Sequence, residues 1–390
     1  MISPRTYGLT LATAGLAVTL GLMAFALWLI PVTGMTQVGA GDLTRVGWFS
    51  NNNYGNRTPQ LVFQPPLFAL RDVPDRHYDV VIVGDSFSMD PEKSWPNHLA
   101  ARGLSVLVIP VTEDLSKENT TADVERQIRA LLETPAFRQH PPGVFVFESV
   151  ERFLRRRLVN DAAPCVDERP AQPREPNAAE GTLPLQPPIL EYGTPPTHRL
   201  ERMHLPPAGR YDEEQLTYAR DFLVKNARRM FGWQGDGREL ALRTPRFSSR
   251  KPDRLLVVAQ DLRKQNWTDA DLAQMRCQLL KLQEAVQANG KTLFVALPIP
   301  DKLSAYHADL VDRNLPAGIV ERIDDPRLNR PQVEKPIRAA IDAGEIDVYL
   351  PNDTHFSTRG HALTAETVLD FIEARTQRIG VPQARADAPK

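Results

Sequence analysis

Cysteine is scarce in this chain: 390 residues hold only Cys165 and Cys277. Two cysteines allow one intramolecular disulfide at most, and their distance in sequence leaves open whether they pair or stay as thiols. Neither stands at metal-ligand spacing from His355 or any other ligand type, so a bound metal is not indicated. Net charge is nearly absent too, at a formal −1, and apolar residues make up 42%. That balance argues against nucleic-acid binding and against global disorder. There is no glycine-rich phosphate loop, no internal repeat and no sign of a cofactor motif. The length suffices for one large domain or two modest ones, with ample core.

Charge disappears altogether near the N-terminus. From Thr6 to Ala40 the only ionisable side chain is Tyr7, and Leu9–Ile30 is almost continuously apolar. Those 22 residues suffice, at about 1.5 Å each, to cross a ~30 Å hydrocarbon core. Arg5 on the short leading side favours a cytoplasmic N-terminus and an exported body. A cleavable signal peptide ending at Val38-Gly39-Ala40 is the competing reading. Its apolar core would exceed the usual length, so residues 1–40 are taken as an uncleaved anchor in the inner membrane. One crossing would leave the remainder in the periplasm.

Residues 41–78 are polar and turn-rich, as suits a connector, and 79–390 would form the catalytic domain. Within it, apolar runs alternate with helical periodicity. Strands are expected at Asp79–Val83, Leu104–Ile109, Gly143–Phe147, Arg254–Ala259, Thr292–Leu297 and Ile346–Leu350. Helices are expected near Trp95–Arg102, Val124–Glu133, Asp269–Asn289 and Arg359–Arg378. Alternation of this kind predicts an α/β fold, a mostly parallel sheet with helices on both faces, preceded by one transmembrane helix. Asp161–Arg210 breaks the pattern, with 11 of the 34 prolines, a density that prevents helix interiors and central strands. It is either an irregular surface insertion or a flap that shapes a cleft.

Two segments carry chemistry. Val80-Val81-Ile82-Val83 runs into Gly84-Asp85-Ser86, which places Ser86 at the carboxyl end of a buried strand, where open α/β sheets bind ligands. Gly84 permits a sharp turn, and the Ser86 N–H could donate to an oxyanion. At the other end, Asp353-Thr354-His355 follows Ile346–Leu350. In extended backbone, positions i and i+2 share a side. The Asp353 carboxylate could then hold the Nδ1–H of His355 and leave Nε2 for a serine. A serine hydroxyl needs such a base to become a nucleophile.

Gly84-Asp85-Ser86 early in the chain and Asp353-Thr354-His355 late in it resemble the SGNH/GDSL hydrolase superfamily. More narrowly, the chain resembles the AlgX/AlgJ-like branch, exported proteins that O-acetylate bacterial exopolysaccharides such as alginate and cellulose. The Asp-Thr-His-Phe-Ser block contributes to that likeness, as does Phe145-Val146-Phe147-Glu148 leading into Glu151-Arg152. So does Leu297-Pro298-Ile299-Pro300-Asp301-Lys302 followed by Tyr306. The likeness spans about 79–160 and 250–375. It implies an SGNH-hydrolase-like sheet, Ser86 as acetyl-carrying nucleophile, His355 as base and Asp353 as its orienting group. It also implies a polysaccharide acceptor and a membrane-bound acyltransferase that supplies acetyl groups from the cytoplasmic side. In the alginate proteins the Asp-x-His block precedes the serine block. Here it follows, as in ordinary SGNH esterases, which leaves cellulose and other glycans open. A Gly-x-Asn-Asp block is missing, so the remaining oxyanion donors are unassigned.

Gly84, Asp85 and Arg152 are the further candidates for oxyanion or substrate contact. Arg152 follows the third apolar strand, and the competing reading is a charge on a helix face. Trp95 and Trp267 open helices and are expected to pack, and His361 is expected on a helix surface. The reading is a membrane-anchored O-acetyltransferase acting on a secreted polysaccharide. A carbohydrate acetylesterase with the same triad and a noncatalytic polysaccharide-binding scaffold are its rivals.

Overall fold

The computed structural model describes residues 3–33, 41–47, 49, 51–114, 117–165, 224 and 236–376. Most of the proline-rich segment, from 166 to 210, lies outside them. The chain divides into two compact units, each assembled from separate stretches. One comprises Met1–Thr58, Pro195–Ala259 and Leu350–Thr354; the other comprises Pro59–Thr194, Gln260–Tyr349 and His355–Lys390.

Seven strands occur among the described residues: β1 (Ala69–Leu70), β2 (Val80–Gly84), β3 (Val106–Pro110), β4 (Val144–Val150), β5 (Gly237–Ala241), β6 (Arg254–Val258) and β7 (Leu293–Ile299). The second unit holds a five-stranded sheet in the order β1-β3-β2-β4-β7. Every neighbouring pair is parallel. β2, β4 and β7 are buried along their whole length, as expected of parallel strands covered on both faces, and this explains why each reads as an unbroken apolar run.

Alternate residues divide between two faces. Val81, Val83, Leu107, Ile109, Phe145, Phe147 and Phe294 join one core cluster, with side chains from the helices Thr121–Glu133 and Asp269–Gln287. Val80, Ile82, Val106, Val108, Val144 and Val146, also buried, point the other way. On β3 that face meets the helix Pro96–Ala100, which packs in turn against Thr358–Thr376. The helix Asp269–Gln287 starts where its sequence dictates. Thr268 accepts from the Asp271 N–H while the Asp271 carboxylate accepts from the Thr268 N–H, a reciprocal cap that satisfies two donors. Cys277 of this helix is disulfide-bonded to Cys165, Cα–Cα 5.8 Å, which resolves the open question of the two thiols.

In the first unit, β5 and β6 pair antiparallel as a separate two-stranded sheet. The helix Asp42–Gly47 packs on it, and Leu43, Tyr54 and Leu256 form a small core. Residues 41–78 thus contribute structure to both units, including β1, rather than a plain connector. The N-terminal helix spans Pro4–Thr33. Its Pro4–Phe25 portion, with mean hydropathy 1.8, is long and apolar enough to cross a membrane.

Two expected strands differ. Arg254–Ala259 forms β6, outside the main sheet. Ile346–Leu350 is not a strand: Asp347 adopts φ 54°, a left-handed conformation that interrupts extended backbone. Only Tyr349 retains a single bridge, to Phe356.

Candidate active site

β2 ends at Gly84, and Ser86 opens the next short helix, Ser86–Met89. The Asp85 carboxylate caps that helix by accepting the Phe87 N–H, and the Asp85 carbonyl accepts the Ser88 N–H at 2.9 Å. Within the turn the N–H of Ser86 remains, since the first N–H groups of a helix have no acceptor inside it. Ser86 itself is exposed at the carboxyl end of the sheet.

His355 reaches this serine from the far end of the chain. Its Nε2 lies 2.7 Å from the Ser86 Oγ, within hydrogen-bond range for a base and its nucleophile. Residues 351–355 form turns and bends rather than extended backbone, so strand alternation does not place this pair. The imidazole is positioned by packing instead: the buried Phe87 ring lies 4.8 Å from it and 5.1 Å from Phe356. Asp353, two positions earlier, belongs to the first unit, where its Oδ2 accepts the Asp42 N–H at 2.9 Å. The Thr354 N–H donates to Asp42 Oδ1 at 2.8 Å. Gly41 makes this approach possible, since a Cβ there would stand 2.2 Å from the Asn352 carbonyl oxygen.

The additional candidates separate by depth. Asp85 is buried and its carboxylate points inward, accepting the Val150 N–H at 2.9 Å and Arg157 Nη1 at 2.7 Å. These inward bonds fix the turn that carries Ser86. Burial raises the Asp85 pKa, but the Arg157 charge and the accepted hydrogen bonds outweigh that and hold it below the usual carboxylate range. Gly84 is buried too: a Cβ would meet Glu148 Oε2 at 2.6 Å and Ser88 Oγ at 2.8 Å. Its role is close packing beneath Ser86.

Arg152 lies closer to the site. Its guanidinium sits 5.9 Å from the centre of the Phe87 ring and 3.3 Å from Asp261 Oδ1. It also lines a groove of about 730 Å³ with Phe153, Arg155, Arg156, Arg263 and Trp267. Arg155 and Arg156 are paired there with Asp271 and Glu113. Trp267 thus borders open space as well as packing on the core, whereas Trp95 is wholly buried, as expected. His361 is also buried rather than superficial, its ring 5.5 Å from that of Phe356.

Sequence reasoning missed a second buried ionic cluster at the carboxyl ends of β4 and β7. Lys264 donates to both oxygens of Asp301 at 2.6 Å and lies 3.3 Å from Glu151 Oε2. Burial and the neighbouring Asp301 charge push Asp261 up to about 7, against the pull of Arg152 and Lys264. The signal was present in Glu151-Arg152 and Pro300-Asp301-Lys302, but the partner Lys264 sits in an unremarkable polar run.

Residues 251–387, which include Asp353 and His355 but not Ser86, match the family model described as the SGNH hydrolase-like domain of the acetyltransferase AlgX. No curated protein and no solved structure matches the chain. The match covers about a third of the chain and supports an SGNH/AlgX-like family, with which the mostly parallel α/β sheet is compatible.

Proposed function

We propose that this protein is an extracytoplasmic O-acetyltransferase that adds acetyl groups to a secreted bacterial polysaccharide, cellulose-like or alginate-like. The observation that carries the reading is the 2.7 Å approach of His355 Nε2 to Ser86 Oγ in a chain with an AlgX-type domain. Ser86 Oγ attacks the acetyl carbonyl while His355 takes its proton. The donor's leaving group departs with that proton, and Ser86 keeps the acetyl as an ester. A sugar hydroxyl then attacks the ester, gives its proton to His355, and the proton returns to Ser86. Asp353 orients the imidazole from two residues upstream. The Ser86 N–H is one oxyanion donor, and Arg152, beside Phe87, contributes to binding near the acyl group.

The groove that Arg152 shares with Phe153 and Trp267 suits an extended glycan acceptor, because aromatic faces and guanidinium planes pack against sugar rings and hydroxyls. The acetyl source in this reading is a membrane-bound acyltransferase, reached because the N-terminal helix anchors the body at the inner membrane. The Cys165–Cys277 disulfide supports a periplasmic body, since disulfides persist in oxidising compartments.

Exposure of Ser86 favours one rival, a carbohydrate acetylesterase, because water can reach the same acyl-enzyme. The detergent-solubilised chain, a chromogenic acetyl ester and glucan, mannuronan and chitin oligomers separate the two. Acetylated oligomers in the mass spectrum support transfer; ester cleavage with unmodified oligomers in every case supports hydrolysis.

A further inference from the structure

A buried carboxyl group lies under Ser86 rather than beside it. Glu148, on β4, is wholly buried, as are Ser88 and Trp95. One of its oxygens, Oε2, accepts two hydrogen bonds from the nucleophile turn: the Asp85 N–H at 2.9 Å and the Ser88 hydroxyl at 2.7 Å. The Ser88 Oγ in turn accepts the Trp95 indole N–H at 3.1 Å. Ser86 therefore sits between two residues, Asp85 and Ser88, that one carboxyl oxygen holds together. The fit is tight enough that Gly84 has no room for a methyl group on this side.

The other oxygen, Oε1, is buried without a hydrogen-bond partner among the described residues. An ionised carboxylate with a bare, buried oxygen is costly, whereas a neutral acid carries its proton there and leaves Oε2 free to accept twice. The charges that face Glu148 point the same way. Asp85 is the adjacent anion, and the cation that acts on Glu148, Arg157, is already bound to Asp85, to Ser149 and to Glu113. Burial first, and the Asp85 charge second, raise the Glu148 carboxyl well above its usual range. Two neighbouring buried carboxyls thus divide their roles, one charged and one neutral.

We propose that Glu148 is a positioning residue for the acyl-transfer reaction, acting as a neutral acid whose Oε2 fixes Asp85 and Ser88 and thereby the placement of Ser86 against His355. This rests on Ser86 being the nucleophile. A displacement of ~1 Å in a reacting atom can cost about 10²-fold in rate, so a tie that pins both flanks of Ser86 acts on turnover and not on substrate affinity.

The test uses the full chain with a chromogenic acetyl ester and a fluorophosphonate that labels activated serines. Labelling of the wild type and its loss in Ser86→Ala confirm the nucleophile; labelling that persists in Ser86→Ala overturns that reading and this one with it. With the nucleophile confirmed, Glu148→Gln keeps the accepting oxygen and no charge, and its kcat stays within about 3-fold of wild type. Glu148→Leu removes the acceptor and lowers kcat by roughly 10- to 100-fold at unchanged KM. Should Glu148→Leu fail to fold, Ser88→Ala deletes one of the same hydrogen bonds by removing a single hydroxyl, and a lowered kcat at unchanged KM is expected there as well. A Glu148→Gln enzyme as impaired as Glu148→Leu overturns the neutral-acid role. Wild-type kcat in Ser88→Ala together with Glu148→Leu, or in Ser88→Ala alone where Glu148→Leu does not fold, overturns positioning.

Discussion

The Nε2 of His355 and the Oγ of Ser86 stand 2.7 Å apart although 269 positions of chain separate them. The parallel sheet delivers the serine at the end of β2, and a turn just before the helix Thr358–Thr376 delivers the imidazole. Phe87, the residue after the serine, packs on that imidazole, so the helix that carries Ser86 helps to place His355.

Ser86→Ala should abolish ester turnover and leave the melting temperature unchanged, because it removes one exposed hydroxyl. His355→Ala should lower kcat by about 10²- to 10⁴-fold, the usual worth of a positioned base. Parallel measurements of turnover and thermal unfolding check both. Near-normal turnover in either variant removes that residue from the mechanism.

Reduction of the Cys165–Cys277 bridge should destabilise the fold by about 2–5 kcal/mol. The expected result is a lower melting temperature with dithiothreitol and in the Cys165→Ser/Cys277→Ser double variant. The reductant should have no effect on that variant. Equal melting temperatures for oxidised and reduced wild type would contradict the bond.

Stability should fall as pH rises toward neutrality through Asp261. Its folded pKa, about 7, lies above the ~3.9 of an unfolded aspartate. The folded state therefore holds a proton that the unfolded state has already lost. Stability from this group is full below pH ~4, declines as pH rises to about 7, and is flat beyond. Asp261→Asn removes this dependence while still accepting from Arg152. Urea midpoints at pH 5, 6 and 7.5 should fall more for wild type than for the variant; the reverse order would refute the shift.

A reporter enzyme that works only in the periplasm should be active when fused after Lys390. The apolar helix Pro4–Phe25, with Arg5 in its first turn ahead of the uncharged run, predicts one crossing and an exported body. Activity confined to a cytoplasmic reporter would reverse the orientation and remove the exopolysaccharide assignment.

The strands that bear the site were legible because they are buried on both faces: Val80–Val83, Gly143–Phe147 and Thr292–Leu297 are continuous apolar runs. β6 is apolar as well, with Leu255, Leu256 and Val257 buried, and nothing in such a run says which strand it will pair with. β5 was not anticipated, since Gly-Arg-Glu-Leu-Ala has neither the apolar run nor the β-branched residues of a strand. Val348 and Tyr349 are buried like strand residues, but the left-handed Asp347 turns the backbone before a strand can form. At the candidate site, Ser86 and His355, which the structure brings within 2.7 Å, both stand in local motifs. The supports were not, because Ser88–Glu148 and Asp85–Arg157 join positions 60 and 72 residues apart. Their residue types, a serine, a glutamate and an arginine, are ordinary on any surface.

The bond between Cys165 and Cys277 closes a ring over a sequence separation of 112, and the two chemical segments fall on opposite sides of it, Ser86 before and His355 after. A backbone cut anywhere between the two cysteines therefore yields two fragments that remain one covalent molecule, each carrying half of the Ser86–His355 pair. Such a nicked protein would run as a single species on a non-reducing gel and as two on a reducing one, with Ser86 and His355 still tethered by sulfur.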